Sequence, residues 1–484
     1  MKSLVWFRSD LRTHDHRALA AACSAAGDSG VIGVFLLAPA QWKQHDWGGT
    51  KVRFILRTLR ELSAALAKLN IPLIVERADT FDDAPEVLAR LAARHRCTAL
   101  YYAREYEVNE QQRDAAVAAR LAKDNIEVHA VDDQCILEPG SVRTGEDRFY
   151  TVFTPFKKAW YKVVEDRGMV PPLPAPTRQP RLDIAPSAIP ESLPGFDTHV
   201  PDDLWPAGED AAIARLQLFS GKPLTQYKHY RDFPAEDGTS KLSPYLAIGA
   251  ISPRTCLHAA LEANEGKLDN PKPNRAGQTH WISELVWREF YKHILVGFPR
   301  VCMGRAFKPA TDRIEWSNNQ SHFDAWREGR TGVPIVDAGM RQLLTTGWMH
   351  NRVRMITAMY LTKDLFINWR WGEQHFMQHL IDADLSQNNG GWQWSASTGT
   401  DAAPYFRIFN PVSQSRKFDA SGDYIRRYVP ELADLHGGED GGGEIHDPSD
   451  LPALLRTQLD YPEPIVDRAT VRDRVLSAFK ALST

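Results

Sequence analysis

The sequence predicts an α/β domain with a doubly wound, five-stranded parallel sheet, followed by a larger all-α domain. In the first 130 residues, short apolar runs alternate with longer segments whose apolar residues recur at helical spacing. After residue 207 helical spacing dominates. Between the two, Pro171–Pro206 holds ten prolines in 36 residues, which excludes regular helix and central strand. We assign residues 1–132 to the α/β domain, 133–206 to a long Pro-rich connector and 207–484 to the helical domain.

The first domain contains five apolar runs of strand length with amphipathic segments between them. The predicted strands are Leu4–Phe7, Val31–Leu37, Leu73–Val75, Ala99–Tyr102 and Ile126–Val128. The predicted helices are Arg17–Ala26, Lys51–Leu69, Ala84–Arg94 and Glu110–Ala122. Such alternation forms a parallel sheet with right-handed crossovers, which binds ligands at the carboxyl ends of its strands. Neither G-x-G-x-x-G nor G-x-x-x-x-G-K-[ST] occurs, which argues against the usual dinucleotide and triphosphate sites.

In the second domain, helical spacing predicts a series of helices, and strand-like runs are scarce. The predicted helices are Asp210–Phe219, Ile251–Asn264, Thr279–Gly297, Ser321–Glu328, Pro334–Thr346, Met349–Leu365, Glu373–Leu380 and Arg468–Ala481. A Gly-Gly turn is expected at Gly390-Gly391.

Composition excludes several classes of protein. The five cysteines are odd in number, widely spaced and form no C-x-x-C, which argues against a disulfide framework and for a reducing compartment. No apolar run of signal-peptide length opens the chain, and no stretch of 18 apolar residues occurs. We therefore expect a cytoplasmic protein outside the membrane. The region 221–420 holds 24 Lys and Arg against 19 Asp and Glu, which permits a polyanionic partner.

Tryptophan is concentrated in the second domain, where nine of the 14 lie between Trp281 and Trp394. Core packing is the ordinary explanation. On the helix that begins near Trp281, however, helical spacing groups Glu284, Trp287, Arg288 and Tyr291 on one face. This face could bond and stack on a planar ligand, or it could be a half-buried face with a Glu284–Arg288 ion pair.

Three further segments carry polar groups that could bind a ligand or a metal ion. Trp348, Asn351, Arg352 and Met355 share a helix face, where a ligand would satisfy polar groups that are costly to bury alone. The segment 238–243 offers hydroxyls and backbone amides at a helix start, which suits either a phosphate or a simple N-cap. The pairs Asp382/Asp384 and His375/His379 lack further ligands at a recognisable spacing, so no metal site is predicted.

Together these motifs closely resemble those of the photolyase/cryptochrome family, over essentially the whole chain. The shared runs are V-W-F-R-x-D-L-R-x-x-D from Val5, T-S-x-L-S-P-Y-L-A-I-G from Thr239, W-x-x-E-L-x-W-R-E-F-Y from Trp281, G-W-M-H-N-R-x-R-M from Gly347 and D-x-D-x-x-x-N-N-G-G-W-Q-W-S-A-S-T-G-T-D from Asp382. The resemblance is greatest to bacterial class I photolyases, which act on cyclobutane pyrimidine dimers (CPDs) in DNA.

The resemblance implies FAD, active in its reduced anionic form, bound in the helical domain. The matching cofactor residues are Tyr227, Thr239, Ser240, Leu242, Ser243, Trp281, Glu284, Arg288, Trp348, Asn351, Arg354, Asp382, Asp384 and Asn388. The first five of these, Tyr227, Thr239, Ser240, Leu242 and Ser243, are expected to hold the diphosphate. Asn388 matches the residue that faces the flavin's reactive ring nitrogen. Photolyases have asparagine there, whereas plant cryptochromes usually have aspartate and animal cryptochromes cysteine.

The resemblance also implies a substrate, UV-damaged DNA that contains pyrimidine dimers. The matching DNA and lesion residues are Arg231, Glu284, Trp287, Asn351, Arg352, Met355 and Trp394. The two indoles are expected to form an aromatic wedge, and the two arginines to contact phosphates. Excited FAD would donate an electron to the extruded dimer and recover it after the ring opens, with Glu284 stabilising the negative charge. Glu284, Asn388 and Met355 form the expected catalytic set of this carbon–carbon lyase.

Two more groups of residues follow from the resemblance. Trp392, Trp369 and Trp316 match a chain of tryptophans that reduces oxidised flavin on illumination. His45, Asn109, Glu110 and Cys302 match an antenna site for 5,10-methenyltetrahydrofolate. Met303 departs from a lysine found in a relative, so a deazaflavin antenna, or none, stays open.

The alternative functions are a blue-light signalling cryptochrome and a (6-4) photolyase. Asn388 and Met355 disfavour the first. The (6-4) enzymes have histidines where Asn351 and Met355 stand here, which disfavours the second. We expect a monomer that acts on DNA.

Overall fold

The five apolar runs of the first domain form one parallel sheet. A computed structural model describes residues 2–168, 170–438 and 442–483. The strands lie in the order β3-β2-β1-β4-β5, and each neighbouring pair is parallel. Their bounds are β1 (Ser3–Phe7), β2 (Val31–Leu37), β3 (Leu73–Arg77), β4 (Ala99–Ala103) and β5 (Glu127–Val131). The predicted sheet is confirmed.

Side chains of the strands alternate between two helical layers. The helices of this domain are α1 (Arg17–Ala26), α2 (Pro39–Gln44), α3 (Gly49–Lys68), α4 (Ala84–His95) and α5 (Val108–Ala122). Val5 and Phe7 share an apolar cluster with α1 and α3, whereas Leu4 and Trp6 pack with α4 and α5. Helices therefore cover both faces, and the strand order changes direction between β1 and β4, where such sheets bind ligands at their carboxyl ends.

The segment between the domains contains a helix that the sequence analysis did not predict. This helix, α6 (Phe153–Arg167), buries Phe156, Trp160 and Val164, which lie at helical spacing. From 171 to 206, the described chain has no α-helix or strand, as its prolines predict. This part lies along the α/β domain, because the backbone N–H groups of Gln179 and Ser187 donate to carbonyls of that domain.

The second domain is helical, and its described residues contain no strand, which confirms the predicted fold class. None of the described helices is long and apolar enough to cross a membrane. A π-helical turn, Tyr360–Asp364, extends α14. The helices are α7 (Glu209–Ser220), α8 (Lys222–Tyr230), α9 (Ser243–Ala247), α10 (Pro253–Ala263), α11 (Ala276–Gly297), α12 (Gln320–Arg327), α13 (Pro334–Thr346), α14 (Asn351–Met359), α15 (Trp369–His379), α16 (Leu385–Ala396), α17 (Pro411–Phe418), α18 (Asp423–Tyr428), α19 (Ala453–Arg456) and α20 (Val471–Lys480).

A buried charge network joins the two domains. Asp133 accepts hydrogen bonds from Arg12 at 2.6 Å and from Arg254 at 2.5 Å, and Arg254 also pairs with Asp15 at 2.9 Å. Burial by itself would raise the pKa of Asp133, but the charges of Arg12, His16 and Arg254 lower it below its usual value. Removal of one partner would leave a buried charge unpaired, so the network holds the domains in one arrangement.

The expected turn at Gly390-Gly391 is wrong, because α16 continues through both glycines. Asp384 caps this helix, since its side chain accepts a hydrogen bond from the backbone N–H of Gln387. A Cβ atom on Gly390 would lie 2.2 Å from the Tyr291 ring, whereas Gly391 faces open space. Gly390 therefore lets α16 approach α11 closely, and the pair of glycines marks a helix contact and not a turn.

The two glycines predict opposite effects of the same substitution. Gly390→Ala forces the Tyr291 ring to move, and we expect it to lower the free energy of unfolding by about 1–3 kcal/mol. Gly391→Ala is the matched control, and we expect it to raise that free energy by about 0.5–1 kcal/mol, because alanine favours the helix. Urea denaturation of both variants measures these changes. A stabilised Gly390→Ala protein would contradict the close contact between α11 and α16.

Candidate active site

A cavity of about 410 Å³ opens in the helical domain between α11, α14 and α16. This volume lies within the range of small-molecule sites, roughly 300–1,000 Å³. All the residues predicted to contact the lesion line it: Arg231, Glu284, Trp287, Asn351, Arg352, Met355 and Trp394. Half of the predicted FAD residues line the same cavity: Glu284, Arg288, Asn351, Arg354, Asp382, Asp384 and Asn388. The fold thus brings together side chains from four separate segments.

Helix α11 presents Glu284, Trp287, Arg288 and Tyr291 to this cavity, as its spacing predicts. Glu284 does not form the ordinary ion pair along the helix. Its Oε1 accepts a hydrogen bond from Arg231 Nη1 at 2.5 Å, and Arg288 instead donates to the carbonyl of Gln134 at 2.7 Å. The carboxylate is therefore held across the cavity mouth by a residue of the α8 end.

Helix α14 supplies the second wall. Arg352 Nη2 donates to Asp232 Oδ1 at 2.8 Å, so this guanidinium is held near the Arg231–Glu284 pair. Arg354 Nη2 donates to Asp382 Oδ2 at 2.8 Å, which joins α14 to the segment before α16. Of the two polar residues on the predicted face, Asn351 and Arg352, the second thus has a charged partner in the protein.

Asp384 forms part of a buried ion-pair chain that the sequence analysis missed. Lys292 Nζ lies 3.2 Å from Asp384 Oδ2 and 3.0 Å from Glu107 Oε1. Burial by itself would raise the pKa of Asp384, but the charges of Lys292 and Arg288 lower it far below its usual range. The signal was present, because Lys292 follows Arg288 by one helical turn on α11.

Asn388 lies on α16 at the wall of the cavity. Its Nδ2 donates to the carbonyl of Glu373 at 2.9 Å. This bond uses one of the two Nδ2 hydrogens and leaves the side-chain oxygen able to accept a hydrogen bond from a ligand.

The residues predicted to hold a diphosphate lie around α9 and a second cavity of about 640 Å³. Thr239 and Trp348 line this cavity, and Trp348 Nε1 donates to Ser243 Oγ at 3.3 Å. No side chain of the described residues caps α9, so the simple N-cap interpretation is not supported. Of the other residues predicted for the diphosphate, Tyr227 and Leu242 are buried in one apolar cluster, and Ser240 Oγ accepts from the Leu242 N–H. Trp281 and Trp348, predicted to line the flavin, belong to the same cluster.

The first cavity suits an anionic, aromatic ligand such as FAD. Its walls carry more positive than negative side chains: Arg231, Arg288, Arg352 and Arg354 against Glu284, Asp382 and Asp384. Trp392 also lines it, and its buried Nε1 has no hydrogen-bond partner in the described protein. Since buried donors normally have a hydrogen-bond partner, a ligand in the cavity could accept a hydrogen bond from this N–H group.

The three tryptophans predicted to carry electrons differ in exposure. Trp392 lines the cavity, Trp369 is fully buried, and Trp316 is partly exposed. All three pack in or against one apolar cluster, which leads from the cavity to the surface. The ring of Trp326 lies 5.9 Å from that of Trp392 and is fully buried, so this tryptophan is part of the core.

The residues predicted for an antenna line a separate cleft of about 700 Å³, at the carboxyl ends of the strands. His45 Nε2 lies 2.9 Å from Asn109 Nδ2, and its Nδ1 lies 3.4 Å from Glu110 Oε1. Burial and the charges of Glu107 and Glu105 raise the pKa of Glu110 to about 8. Cys302 and Met303 line the same cleft. Its wall shares Arg288, Ala383 and Asp384 with the first cavity, so the two sites are neighbours.

No cluster of three or more His, Cys, Asp or Glu in the described chain could hold a metal ion. His375 and His379 lie with ring centroids 4.2 Å apart, and burial lowers the pKa of both. These histidines are therefore part of the packing around α15.

Comparison with known proteins places this geometry in a family. A family model described as the FAD binding domain of DNA photolyase matches residues 281–481, and one described as DNA photolyase matches residues 3–177. The chain belongs to the DNA photolyase family. The predicted family is thus confirmed, and so is FAD as the cofactor of the helical domain.

Relatives of this photolyase match it along the full chain. The deoxyribodipyrimidine photo-lyase of Escherichia coli (strain K12) is 46% identical over 99% of this chain and 98% of its own length. That of Vibrio cholerae is 44% identical over 99% of each chain. A solved class III photolyase from Agrobacterium tumefaciens aligns with a TM-score of 0.87 at 35% identity, over 100% of this chain and 98% of its own.

A cryptochrome has nearly the same fold. The Synechocystis sp. PCC6803 cryptochrome aligns with a TM-score of 0.85 at 30% identity, over 99% of each chain. The fold therefore does not separate photolyases from cryptochromes, and the residues of the cavity have to do so.

Proposed function

We propose that this photolyase splits cyclobutane pyrimidine dimers in UV-damaged DNA under blue light. The full-length relatives at 44% and 46% identity bear the name deoxyribodipyrimidine photo-lyase. The observation that carries the proposal is one cavity in which the expected lesion residues face the expected FAD residues. Photolyase activity thus requires that a dimer leaves the DNA stack and enters this cavity.

The cavity offers the groups that an extruded dimer needs. Trp287 and Trp394 provide apolar faces, and Met355 adds a flexible apolar side chain. Thymine rings carry N–H donors and carbonyl acceptors, which Glu284 and Asn351 can bond. Because Arg231 fixes Glu284, the carboxylate is held where it can accept a hydrogen bond from a thymine N–H, and the Arg231 guanidinium lies beside the negative charge that develops on the dimer.

Two arginines at the cavity are suited to bind phosphates of the DNA backbone. Arg231 and Arg352 each pair with a carboxylate, yet both line the cavity and are partly exposed. A guanidinium can bond a carboxylate and a phosphate at once because it has five donors. We expect these arginines to hold the phosphates that flank the lesion, with a salt-dependent affinity.

Bound FAD, when reduced and excited by light, supplies the electron that opens the cyclobutane ring. Arg354, Asp382 and Asp384 would hold the cofactor from the α14 and α16 sides, and Arg288 from α11. Asn388 would offer its amide oxygen to the flavin ring. Thr239 and Ser243 would hold the diphosphate beside the second cavity, where Ser243 accepts a hydrogen bond from Trp348.

The two alternative functions are not favoured. A cryptochrome shares the fold, but Asn388 and Met355 are the residues that the resemblance associates with repair. A (6-4) photolyase would have histidines where the cavity here has Asn351 and Met355.

The decisive experiment is repair of a defined lesion. Protein with reduced FAD is mixed with an oligonucleotide that contains one thymine dimer, and restored thymines are counted after blue light and in the dark. We expect light-dependent repair of this substrate and none of a (6-4) photoproduct. Glu284→Ala should lower kcat by about tenfold or more, because the hydrogen bond that orients the dimer beside Arg231 and the flavin is lost. Absence of light-dependent repair in the parent protein would refute the proposed function.

We further propose that Trp392, Trp369 and Trp316 reduce bound oxidised FAD under illumination, in that order from the cavity outward. Their gradation from cavity wall to buried core to partial exposure supports this route. A partly exposed final indole can be re-reduced by a solute, whereas a buried one cannot.

This route predicts a selective defect. Trp316→Phe should block light-driven reduction of FAD with an external donor, but spare repair by protein whose FAD is reduced chemically beforehand. Trp371→Phe, at a partly buried tryptophan outside the proposed route, is the control. Flavin absorption during illumination measures reduction, and normal reduction in Trp316→Phe would exclude this order.

We propose 5,10-methenyltetrahydrofolate as the antenna in the cleft of the α/β domain. His45, Asn109 and Glu110 form a connected group there, and burial together with the charges of Glu107 and Glu105 raises the pKa of Glu110 to about 8, which favours its protonated form. A protonated carboxyl can donate to a pterin-like ring and does not repel an anionic tail.

The antenna is tested by absorption. Purified protein should show a folate band besides the FAD bands, and Glu110→Ala should lose the folate band while it keeps FAD. Glu86→Ala, at the exposed end of a surface ion pair, is the control. A deazaflavin spectrum, or FAD bands alone after addition of the folate, would refute the assignment.

A further inference from the structure

Trp287 is supported from behind by a residue outside the cavity. Its ring stacks on that of Phe153, with centroids 3.6 Å apart and planes 9° from parallel. This is the shortest centroid distance among the described aromatic pairs. Trp287 lines the cavity and Phe153 does not, so Phe153 covers the indole on the side away from the ligand.

The position of Phe153 is itself fixed by another segment. Phe153 is the first residue of α6, and its backbone N–H donates to Asp401 Oδ2 at 3.0 Å. One residue before Asp401, Thr400 Oγ1 donates to the carbonyl of Thr151 at 2.6 Å. These two bonds tie the start of α6 to the loop 397–403.

The same loop begins near Trp394, which also lines the cavity. It follows α16, which carries Trp394, and the backbone N–H of Ala403 donates to the Trp394 carbonyl at 3.2 Å. Asp401 has a φ of 44°, a left-handed conformation that Asp adopts more readily than most residues. One continuous set of contacts therefore runs from Trp394 through Asp401 and Phe153 to Trp287.

We propose that Phe153 and Asp401 are positioning residues that set the distance and angle between the Trp287 and Trp394 indoles. They give the wedge its shape before a dimer enters, so that binding does not have to order two mobile rings. This inference rests on the proposed function, in which these indoles hold the dimer. It adds that selectivity for a dimer over undamaged DNA depends on α6, which does not line the cavity.

The test is a double-mutant cycle on dimer binding in the dark. Phe153→Leu keeps apolar bulk but removes the flat face, and we expect it to weaken binding of a thymine-dimer oligonucleotide by about three- to tenfold. Binding of the undamaged oligonucleotide should not change. In a Trp287→Ala background, Phe153→Leu should change dimer affinity by less than twofold, because Phe153 acts through the indole. Fluorescence anisotropy gives all four affinities.

Three variants separate positioning from a general loss of structure. Phe156→Leu removes a buried ring one turn along α6 that contacts Phe290 and His293 but not Trp287, and dimer affinity should remain at the parent level. Phe153→Tyr keeps the stack and should bind like the parent. Asp401→Ala removes the acceptor for Phe153 and should weaken dimer binding in the same direction as Phe153→Leu. FAD absorption and thermal unfolding confirm that each variant is folded.

The outcomes distinguish this inference from the function on which it rests. If Phe153→Leu lowers dimer affinity equally in the parent and in the Trp287→Ala background, the positioning role is overturned while repair itself stands. Loss of dimer affinity in Phe156→Leu equal to that in Phe153→Leu would overturn it too. If Trp287→Ala binds the dimer like the parent, both the wedge and its support are refuted, and the light-dependent repair assay shows separately whether the proposed function survives.

Discussion

The ion pairs of Lys292 connect the walls of two neighbouring spaces in this photolyase, the first cavity and the cleft that contains His45 and Glu110. This lysine is 3% exposed and lies within 3.2 Å of carboxylates from two different parts of the fold, Glu107 and Asp384. Burial by itself would lower the pKa of Lys292, but these two charges raise it above its usual value. An unpaired buried charge costs several kcal/mol, so the three groups are stable only together. The segment after β4, helix α11 and the start of α16 therefore meet at one point.

Helix α11 connects this point to the rest of the site. One turn before Lys292 it carries Glu289, which is buried and accepts hydrogen bonds from Trp160 Nε1 and from backbone N–H groups of the interdomain segment. The same helix turns Glu284 and Trp287 toward the cavity. One helix thus contacts the connector and α16 and lines the cleft that contains His45. This explains why that cleft and the first cavity share a wall.

Local patterns could be predicted where one periodicity dominates. The strands of the first domain contain continuous apolar runs and its helices follow 3.6-residue spacing, and Pro334–Thr346 was predicted without error. Several helices were not predicted, among them α6 and α16. Helix α6 lay beside a proline-rich stretch, and its Phe156 and Trp160 spacing was overlooked. Helix α16 contains two glycines, which ordinarily indicate a turn, and only the Tyr291 ring explains Gly390 within a helix.

The sequence by itself determined which side chains share a helix face. It also showed that the common nucleotide motifs are absent, and it carried the resemblance that points to FAD. The tertiary structure decided which partner each of these side chains has. Glu284 pairs with Arg231 from a distant segment and not with its neighbour Arg288, and Trp287 rests on Phe153 from the connector. The physical reason is that periodicity reports contacts within a helix. Partners more than fifty residues apart depend on how the helices pack, and that packing is fixed by burial and charge pairing across the whole fold.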